Sequence, residues 1–211
     1  MPYNQQRSPE WLEWRRDKVT ASDAAVIMGA NTFKSIGELF DEKLGIRMPE
    51  AENEAMARGN ALEDEARSSF EEATGHVVFP QVCIHKDFPW MTASLDGLSL
   101  EKDVAVEIKC PGFKSANGTY NNKVVPDYYF PQIQHQMSVT GLKEIYYWSY
   151  YMEGGVNLCT LLIVKRDDEY IEQMIAKEKR FYDLLLEGFS QLIDHENKMS
   201  IMKDDLYKML I

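Results

Sequence analysis

Cysteine is scarce in this sequence of 211 residues, and its three copies stand far apart. Cys83, Cys110 and Cys159 form no CxxC pair, and an odd number of widely spaced cysteines does not give a disulfide framework. An iron–sulfur cluster needs more cysteine ligands than this chain has, so that class of cofactor is excluded as well. Each cysteine lies in an apolar stretch, and we expect all three to be small buried hydrophobic side chains.

Long apolar runs are also missing. No stretch approaches the roughly 20 apolar residues that a membrane-spanning helix needs. The N-terminal residues Met1–Gln6 carry no apolar segment of the kind that a signal peptide contains. We therefore expect a protein of the cytoplasm, in a bacterial or phage-infected host cell, with no membrane partner.

Positive charge is in short supply too, because 23 Lys and Arg stand against 34 Asp and Glu, for a formal net charge of −11. Proteins that bind nucleic acid usually show a basic footprint, so this balance counts mildly against such a partner. It does not exclude one, since a site that binds Mg²⁺ needs carboxylates. A ring or channel can also be basic inside while its outer surface is acidic. Net charge reports on solubility and steering, not on fold.

The composition is otherwise that of an ordinary globular protein, with 45% hydrophobic and 27% charged residues. The length suits one sizeable core and is short for two. No internal repeat, low-complexity tract or Pro/Gly/Ser-rich linker divides the chain. We therefore expect a single domain over residues 1–211.

Helix signals occupy both ends of the chain. Ser8 followed by Pro9 is typical of an N-cap and a first helical position, while Gly29, Gly45 and Gly75 are placed to end later helices. The predicted helices cover about 8–15, 20–29, 35–44, 53–74 and a segment that starts between Pro126 and Pro131 and reaches Thr140. A long amphipathic helix follows from Asp167, and its predicted buried side carries Tyr170, Met174, Phe181, Leu184, Leu185 and Ile193.

Strand-like segments fill the middle of the chain. They cover 77–85, 91–94, 104–110, 145–152 and 156–164, and Gly154-Gly155 indicates a hairpin turn between the last two. Helices therefore come first, then strands with one crossover helix, then a helix again. This order predicts an α/β domain.

The segment Val104–Cys110 has the pattern of a central strand with a chemical face. Side chains alternate along a strand, so Glu107 and Lys109 should emerge together on one side. The residues expected to point into a core on the other side are Val104, Val106, Ile108 and Cys110. A Glu-x-Lys tripeptide is common on surface strands and means little alone. Within a central strand, however, polar side chains are costly unless they are used.

Asp96-Gly97 precedes this strand by about ten residues, on what we interpret as a turn. A hairpin of that size would bring Asp96 beside Glu107. Two carboxylates next to the ammonium of Lys109 can hold a divalent cation and activate water against a phosphodiester.

The helix predicted over 53–74 contains Gly59, which costs about 1 kcal/mol relative to alanine and indicates a close approach to something. Glu63 follows one turn later. It either forms an i,i+4 pair with Arg67, worth roughly 0.3–0.5 kcal/mol, or serves as a further carboxylate near the metals.

The segment Gln132–Gln136 lies on the predicted crossover helix, where Gln132, His135 and Gln136 share one side. Amides and imidazole can orient a water molecule or a phosphate oxygen. We do not expect His135 to bind metal, since no second histidine is paired with it, and favour a hydrogen-bonded or solvated side chain.

Ser22 fits a simple N-cap. Helix N-termini also bind anions, and Arg15, brought close by the preceding helix, would complete a forked phosphate site.

Five motifs in this order resemble the lambda-type, YqaJ-like alkaline exonucleases of phage recombination, within the PD-(D/E)xK nuclease superfamily. They are Arg15 with Thr20-Ala21-Ser22, Gly59 with Glu63, Ser94-Leu95-Asp96-Gly97-Leu98, Glu107-Ile108-Lys109-Cys110-Pro111, and Gln132-Ile133-Gln134. The set covers nearly the whole chain and is more specific than any single motif. The chain departs from the pattern at Leu95, where the superfamily has a proline that shapes the turn and is not a ligand.

The resemblance implies a restriction-endonuclease-like fold: a mixed central β-sheet flanked by α-helices, with a helical N-terminal segment and a long C-terminal helix. It also implies a 5′→3′ exonuclease that degrades one strand of linear double-stranded DNA to mononucleotides and leaves a 3′ single strand for recombination. The implied partners are DNA with a 5′-phosphate, two further copies in a homotrimeric ring, and a single-strand annealing recombinase.

The same resemblance implies roles for individual residues. The implied cofactor is Mg²⁺, or Mn²⁺ in its place, as two ions. Asp96, Glu107 and the Ile108 carbonyl would hold the first ion, and Asp96 with Glu63 the second. Lys109 would orient or deprotonate the attacking water. The phosphate-binding residues would be Gln132 near the scissile group and Arg15, Ser22 and Ser94 at the 5′-terminal phosphate.

Two other functions remain open from the sequence. One is an endonuclease of the same superfamily, with another role in DNA processing. The other is a catalytically silent subunit that only recruits partners. The second is disfavoured because every metal-binding position and the lysine are filled.

Overall fold

A computed structural model describes residues 8–48 and 53–209, and of residues 9 and 195–209 it describes the backbone alone. The N-terminal residues Met1–Gln6 lie outside the described part. The helices are α1 Pro9–Trp14, α2 Ala21–Ile27, α3 Ile36–Leu44, α4 Glu54–Thr74, α5 Phe113–Asn122, α6 Phe130–Thr140 and α7 Asp168–Met209. The strands are β1 Val19–Thr20, β2 Phe79–Ile84, β3 Met91–Leu98, β4 Ala105–Lys109, β5 Glu144–Ser149, β6 Met152–Glu153, β7 Val156–Asn157 and β8 Thr160–Lys165.

Local capping explains where the early helices begin and end. The Ser8 side chain accepts from the Trp11 N–H at 3.1 Å and so starts α1. Ser35 forms a capping box with Glu38 at the start of α3. Gly75 ends α4 with φ of 75°, a left-handed conformation that glycine adopts without a steric penalty.

The central sheet is mixed, with neighbouring strands in the order β1-β3-β4-β5-β8, and β2 also pairs with β3. β1 runs parallel to β3, and β4 runs parallel to β5, whereas β3 and β4 are antiparallel. β2 pairs with β3 from Thr92 to Leu98, so β1, at the start of β3, and β4, which runs from the end of β3 back toward its start, both lie on the side of β3 away from β2. The ends of β1, β4 and β5 consequently meet the start of β3 at one edge of the sheet.

Each face of the sheet carries its own core. One face packs against α2, α6 and α7, and includes Leu95, Ala105 and Tyr147. The other packs against α4, where Val106 and Ile108 contact a cluster with Ala66 and Phe70. The alternation predicted for β4 is confirmed, because Val106 and Ile108 share the α4 face and Glu107 lies on the opposite side with Ala105. Glu107 is therefore pressed between the sheet and α6.

Several sequence expectations need correction. Asp96-Gly97 lies inside β3, not on a turn, and the connection to β4 begins after Leu98. Sequence signals did not predict α5, whose polar composition and internal Gly118 hide a helix. Leu184 and Ile193 are 45% and 58% exposed, so they do not lie on the buried side of α7. The cysteines are half-buried and free. The turn at Gly154-Gly155 is confirmed, with the small β6–β7 hairpin around it.

The expected mixed α/β architecture, flanking helices and long last helix are confirmed. Within the described ranges, no helix is both long and apolar enough to cross a membrane.

Candidate active site

A β-bulge sets the position of Asp96. Phe79 of β2 pairs with Leu98, but Gln81 pairs with Leu95, so β3 has one extra residue at Asp96-Gly97. The Asp96 Oδ2 then accepts from the Ile108 N–H of β4 at 2.8 Å. Any side chain at position 97 would block this approach, since a Cβ there would lie 2.5 Å from Val78 Cγ2 and 2.8 Å from Val106 Cγ1.

The carboxylate of Glu107 is held by three groups and is only 1% exposed. Gln132 donates from Nε2 to its Oε1 at 2.6 Å, and Gln136 donates to its Oε2 at 2.5 Å. Lys109 Nζ lies 2.5 Å from Oε1. A buried carboxylate needs such partners, because an isolated charge in the interior is strongly unfavourable. Gln132, Gln136 and Lys109 therefore all contact Glu107, and the roles of Gln132 toward phosphate and of Lys109 toward water stay predictions.

Lys109 remains charged in this setting. Burial by itself lowers the pKa of the ammonium, but the charges of Glu107 and Asp96 outweigh it and leave the pKa raised. Nζ also lies 4.8 Å from the ring centroid of Tyr129, which adds a cation–π contact.

Asp96 and Glu107 lie close enough for their charges to interact. Burial first, and then the neighbouring charge of Glu107, raise the pKa of Asp96 to about 8, against an opposing effect of Lys109. Two crowded carboxylates are a donor set that suits a hard divalent cation, which would relieve their repulsion. Among the described residues, no three Asp, Glu, His or Cys side chains are already gathered as a metal cluster. The residues therefore fit a cation through this pair, with the ligand roles of Ile108 and Glu63 still predictions.

Glu63 approaches Asp96 through an arginine. Arg67 Nη2 lies 2.8 Å from Glu63 Oε1, which is the i,i+4 pair that the sequence left as an alternative. The same guanidinium donates from Nε to the Asp96 carbonyl at 2.8 Å. Arg67 thus fastens α4 to the bulge of β3 and fixes Glu63 near the carboxylate pair. Sequence reasoning treated Arg67 only as a partner for Glu63 and missed this link.

A second polar group lies at the β1 edge of the sheet. Arg15 Nη2 donates to Thr20 Oγ1 at 2.9 Å and to Ser22 Oγ at 3.0 Å. The predicted approach of Arg15 to Ser22 is therefore present. Beneath it, Asp23 and Lys43 form a buried ion pair at 2.7 Å that braces the start of α2. Burial raises the pKa of Asp23, but Lys43 and then Arg15 outweigh it and leave the pKa lowered.

Ser94 connects the two groups. It is half-buried, stands two residues before Asp96 on β3, and follows Thr92, which pairs with Thr20 of β1. Arg15 and Ser22 therefore lie near the start of β3, where β1 occupies the same side of β3 as β4, because β2 pairs along the other side.

The polar side chains of α6 make two separate sets of contacts. Gln132 and Gln136 contact Glu107, whereas Gln134 is fully buried and bonds to the Lys165 carbonyl and the Asp167 N–H, at 2.8 and 2.9 Å. His135 is also fully buried, with its ring nitrogens 2.8 Å from Glu178 Oε1 and 3.1 Å from the Thr92 carbonyl. The expectation of a hydrogen-bonded, non-metal histidine is consistent with these contacts.

Solved structures place the chain in the structural class of the alkaline exonucleases. LHK-Exo, an alkaline exonuclease of Laribacter hongkongensis, matches in a crystal form with dAMP at 28% identity and a TM-score of 0.75, covering 91% of this chain and 100% of that one. A phage-related exonuclease of Haemophilus somnus, at 17% identity and a TM-score of 0.56, covers 85% of this chain and 96% of its own and shows the shared fold alone.

The chain belongs to the family of YqaJ-like viral recombinase domains, whose model matches residues 10–143. It is 29% identical over 189 residues to the uncharacterized protein YqaJ of Bacillus subtilis, and 28% identical over 158 residues to an uncharacterized protein of Acanthamoeba polyphaga mimivirus. These alignments cover 88% and 68% of this chain, but the chain spans only 59% and 29% of those two relatives.

The pKa of Asp96 predicts how stability changes with pH. Because the pKa is higher in the folded chain than its ordinary value of 3.8, the folded state binds the proton more tightly. The free energy of unfolding should therefore fall as pH rises from the usual carboxyl range to about 8, and level off above it. Asn cannot ionise, so Asp96→Asn should remove this decline in thermal melts with chelator present.

The same thermal melts also test whether Mg²⁺ binds at Asp96. The ion should raise the Tm of the wild-type chain at pH 8 and leave the Asp96→Asn variant unchanged. Asp87→Asn, at a carboxylate that is 62% exposed, is the matched control and should behave as wild type. Parallel stability curves for the wild-type chain and Asp96→Asn would contradict the raised pKa.

Gln136→Met tests the second amide on Glu107. The substitution removes a hydrogen bond to a charged group, worth about 1.5–3 kcal/mol, so kcat/KM should fall roughly 10- to 100-fold and the Mg²⁺ midpoint should rise. The midpoint is read both from nuclease rates and from the Mg²⁺-dependent shift of Tm. Gln134→Met, on the same helix and equally buried, should lower stability by about 1–3 kcal/mol without moving the midpoint. Equal midpoints in both variants would show that Gln136 has only a packing role.

Proposed function

We propose that this chain is a Mg²⁺-dependent 5′→3′ exonuclease on linear double-stranded DNA, which releases 5′-mononucleotides and leaves a 3′ single strand for annealing-type recombination. The observation that carries the proposal is the closeness of Asp96 and Glu107 on two paired central strands, with Asp96 bonded to the Ile108 N–H and Lys109 paired with Glu107. The likeness to LHK-Exo, which was crystallised with dAMP, supports a site that accepts a deoxynucleoside monophosphate. We treat residues 1–211 as one catalytic domain.

Asp96, Glu107 and the Ile108 carbonyl would hold the first Mg²⁺, and Asp96 with Glu63 the second. Mn²⁺ would be accepted by the same oxygen donors. When bound, the ions stabilise negative charge on the attacking and leaving oxygens of the phosphodiester. To bind the second ion, the Glu63 carboxylate must either keep its ion pair with Arg67 while it contacts the metal, or break that ion pair.

The protein's own groups supply orientation. Lys109 keeps its ammonium beside Glu107 and donates a hydrogen bond to the water that attacks phosphorus. Gln132 donates to the same carboxylate oxygen as Lys109 and faces the scissile phosphate region. The buried position of Glu107 under α6 excludes bulk water from one side and fixes the geometry in advance.

The residues at the β1 edge of the sheet would set the 5′→3′ direction of digestion. Arg15, Ser22 and Ser94 would bind the 5′-terminal phosphate through a guanidinium and two hydroxyls. The N-terminus of α2 points to the same place, but the arginine supplies the full charge. A 5′-phosphate bound there would place the first internucleotide bond over Asp96 of β3 and Glu107 of β4.

The acidic chain needs a way to hold DNA. A homotrimeric ring with a basic lumen would confine the positive charge to the surface that meets the duplex. A single-strand annealing recombinase would receive the 3′ strand. Light scattering of the purified chain tests the ring directly, since a species of 24.4 kDa alone would contradict it.

Two alternatives predict different substrates or none. An endonuclease of the same superfamily would cut covalently closed circles, and a silent recruitment subunit would cut nothing. The filled carboxylate and lysine positions favour an enzyme.

Digestion of linear and closed circular plasmid decides among these functions. With Mg²⁺, the 5′-ended strand at each end of linear duplex should be degraded to mononucleotides while closed circles stay intact, and chelator should stop the digestion. Asp96→Ala and Lys109→Ala should each lower the rate on linear DNA by at least about 100-fold, since each removes a group at the reacting phosphate. Wild-type digestion by either variant would refute the catalytic assignment.

Arg15→Ala tests the phosphate pocket. The wild-type enzyme should degrade a 5′-phosphorylated duplex faster than a dephosphorylated one, and the variant should degrade both at the same reduced rate, because the charge that reads the phosphate is gone. Arg47→Ala, a surface arginine paired with Glu38, is the matched control and should keep the preference. If the wild-type enzyme degrades the phosphorylated and dephosphorylated duplexes at equal rates, the proposed 5′-phosphate pocket is wrong.

A further inference from the structure

Three side chains from separate elements meet just beyond the ends of β4 and β5. Arg58 of α4 lies over the ring of Tyr151, with its guanidinium carbon 5.2 Å from the ring centroid. Phe113, the first residue of α5, packs edge-on against Tyr151 with the centroids 5.8 Å apart. Tyr151 is 7% exposed, whereas Phe113 leaves 54% of its surface to solvent. The result is a half-covered aromatic platform with a cation beside it.

Arg58 is only partly satisfied by its neighbours. Its Nη1 lies 3.2 Å from Glu153, whose side chain is 59% exposed, on the small β6–β7 hairpin. Its Nε is buried and has no hydrogen-bond partner among the residues that the structure describes. A surface ion pair of this kind contributes little, about 0–1 kcal/mol, so Glu153 is easily exchanged for another anion.

Arg58 is also close to the reacting groups. Tyr150, the residue before Tyr151, donates its N–H to the Lys109 carbonyl at 2.8 Å, and Glu63 follows Arg58 on α4 by little more than one turn. Cys110 follows Lys109 directly and precedes Phe113 by only three residues. The cation and the platform therefore border the carboxylate pair itself.

Strand order places this group one strand beyond Glu107 and Lys109. Asp96 lies on β3, Lys109 at the end of β4, and Tyr151 just past the end of β5. β3, β4 and β5 are adjacent in that order, about 4.8 Å apart, whereas β1 pairs with the start of β3 on the same side as β4. A DNA strand bound over the carboxylates of β3 and β4 meets Arg58 and Phe113 at the end of β5.

We propose that Arg58, Tyr151 and Phe113 form a subsite for a nucleotide next to the scissile phosphate. The Arg58 guanidinium binds the phosphate of that nucleotide in place of Glu153, and the exposed ring of Phe113 stacks on its base. The subsite reads no base identity, because every base has a π-face. It adds affinity for the strand whose phosphodiester lies over the carboxylates. This inference rests on the proposed exonuclease function.

Binding is measured by fluorescence anisotropy with a labelled, 5′-phosphorylated linear duplex and Ca²⁺ in place of Mg²⁺ to prevent cleavage. Arg58→Ala and Phe113→Ala should each weaken binding by about five- to tenfold, the range expected for a lost stack or phosphate contact. Steady-state rates with Mg²⁺ should show the same rise in KM with kcat within about twofold. Glu153→Gln should tighten binding, since it removes the competing anion.

Matched controls come from residues of the same types away from the site. Phe33→Ala, at a ring that is 82% exposed, and Arg47→Ala should bind as wild type. Melting temperatures of all variants exclude unfolding, and Phe113→Tyr, which keeps a stacking ring, should retain binding where Phe113→Ala loses it.

The outcomes separate this inference from the proposed function. Wild-type protein that neither binds nor cuts linear duplex refutes the exonuclease itself. Wild-type activity with unchanged binding by Arg58→Ala and Phe113→Ala overturns only the subsite. If Arg58→Ala weakens DNA binding but Phe113→Ala does not, the proposed stacking on Phe113 is wrong. If Glu153→Gln binds DNA more weakly than the wild-type protein, the proposed exchange of Glu153 for phosphate is wrong.

Discussion

The buried carboxylate of Glu107 is the constraint around which the molecule is organised. A charge that is 1% exposed must be matched by donors, and these come from the same strand through Lys109 and from α6 through Gln132 and Gln136. The helix therefore has to cross this face of the sheet at a fixed height and rotation. The fully buried contacts of His135 with Glu178 and with the β3 backbone lock α6 to α7 and to the sheet on either side of that crossing.

The second constraint is that Asp96 is placed where it is electrostatically unfavourable. Its pKa is raised to about 8 by burial and then by Glu107, and Arg67 holds the backbone at this point from the other face of the sheet. A divalent cation would relieve that repulsion. In the proposed function, an overall charge of −11 is compatible with DNA binding if the cations near the site, Arg15, Arg58 and Lys109, contact phosphate.

Much of this could be predicted from local signals. Capping residues such as Ser35 and the left-handed Gly75 place helix ends, and alternation in β4 assigns Glu107 and Lys109 to one face and Val106 and Ile108 to the other. What local signals could not give was the route of β3. A strand and a turn have similar composition at Asp96-Gly97, and only pairing with β2 and β4 shows the bulge. In the same way, α5 has weak helical signals and is fixed by contacts at its buried positions.

The sequence by itself determined which side chains are available and on which face of which element they lie, because periodicity and capping are local properties. It determined the carboxylates, the lysine and the amides of the site. Tertiary structure alone decided which of these meet: Gln136 but not Gln134 reaches Glu107, Glu63 is bonded to Arg67, and Arg58 stacks on Tyr151 beside Phe113. These contacts join residues far apart in the chain, and their partners are set by strand order and helix rotation, which no local pattern records.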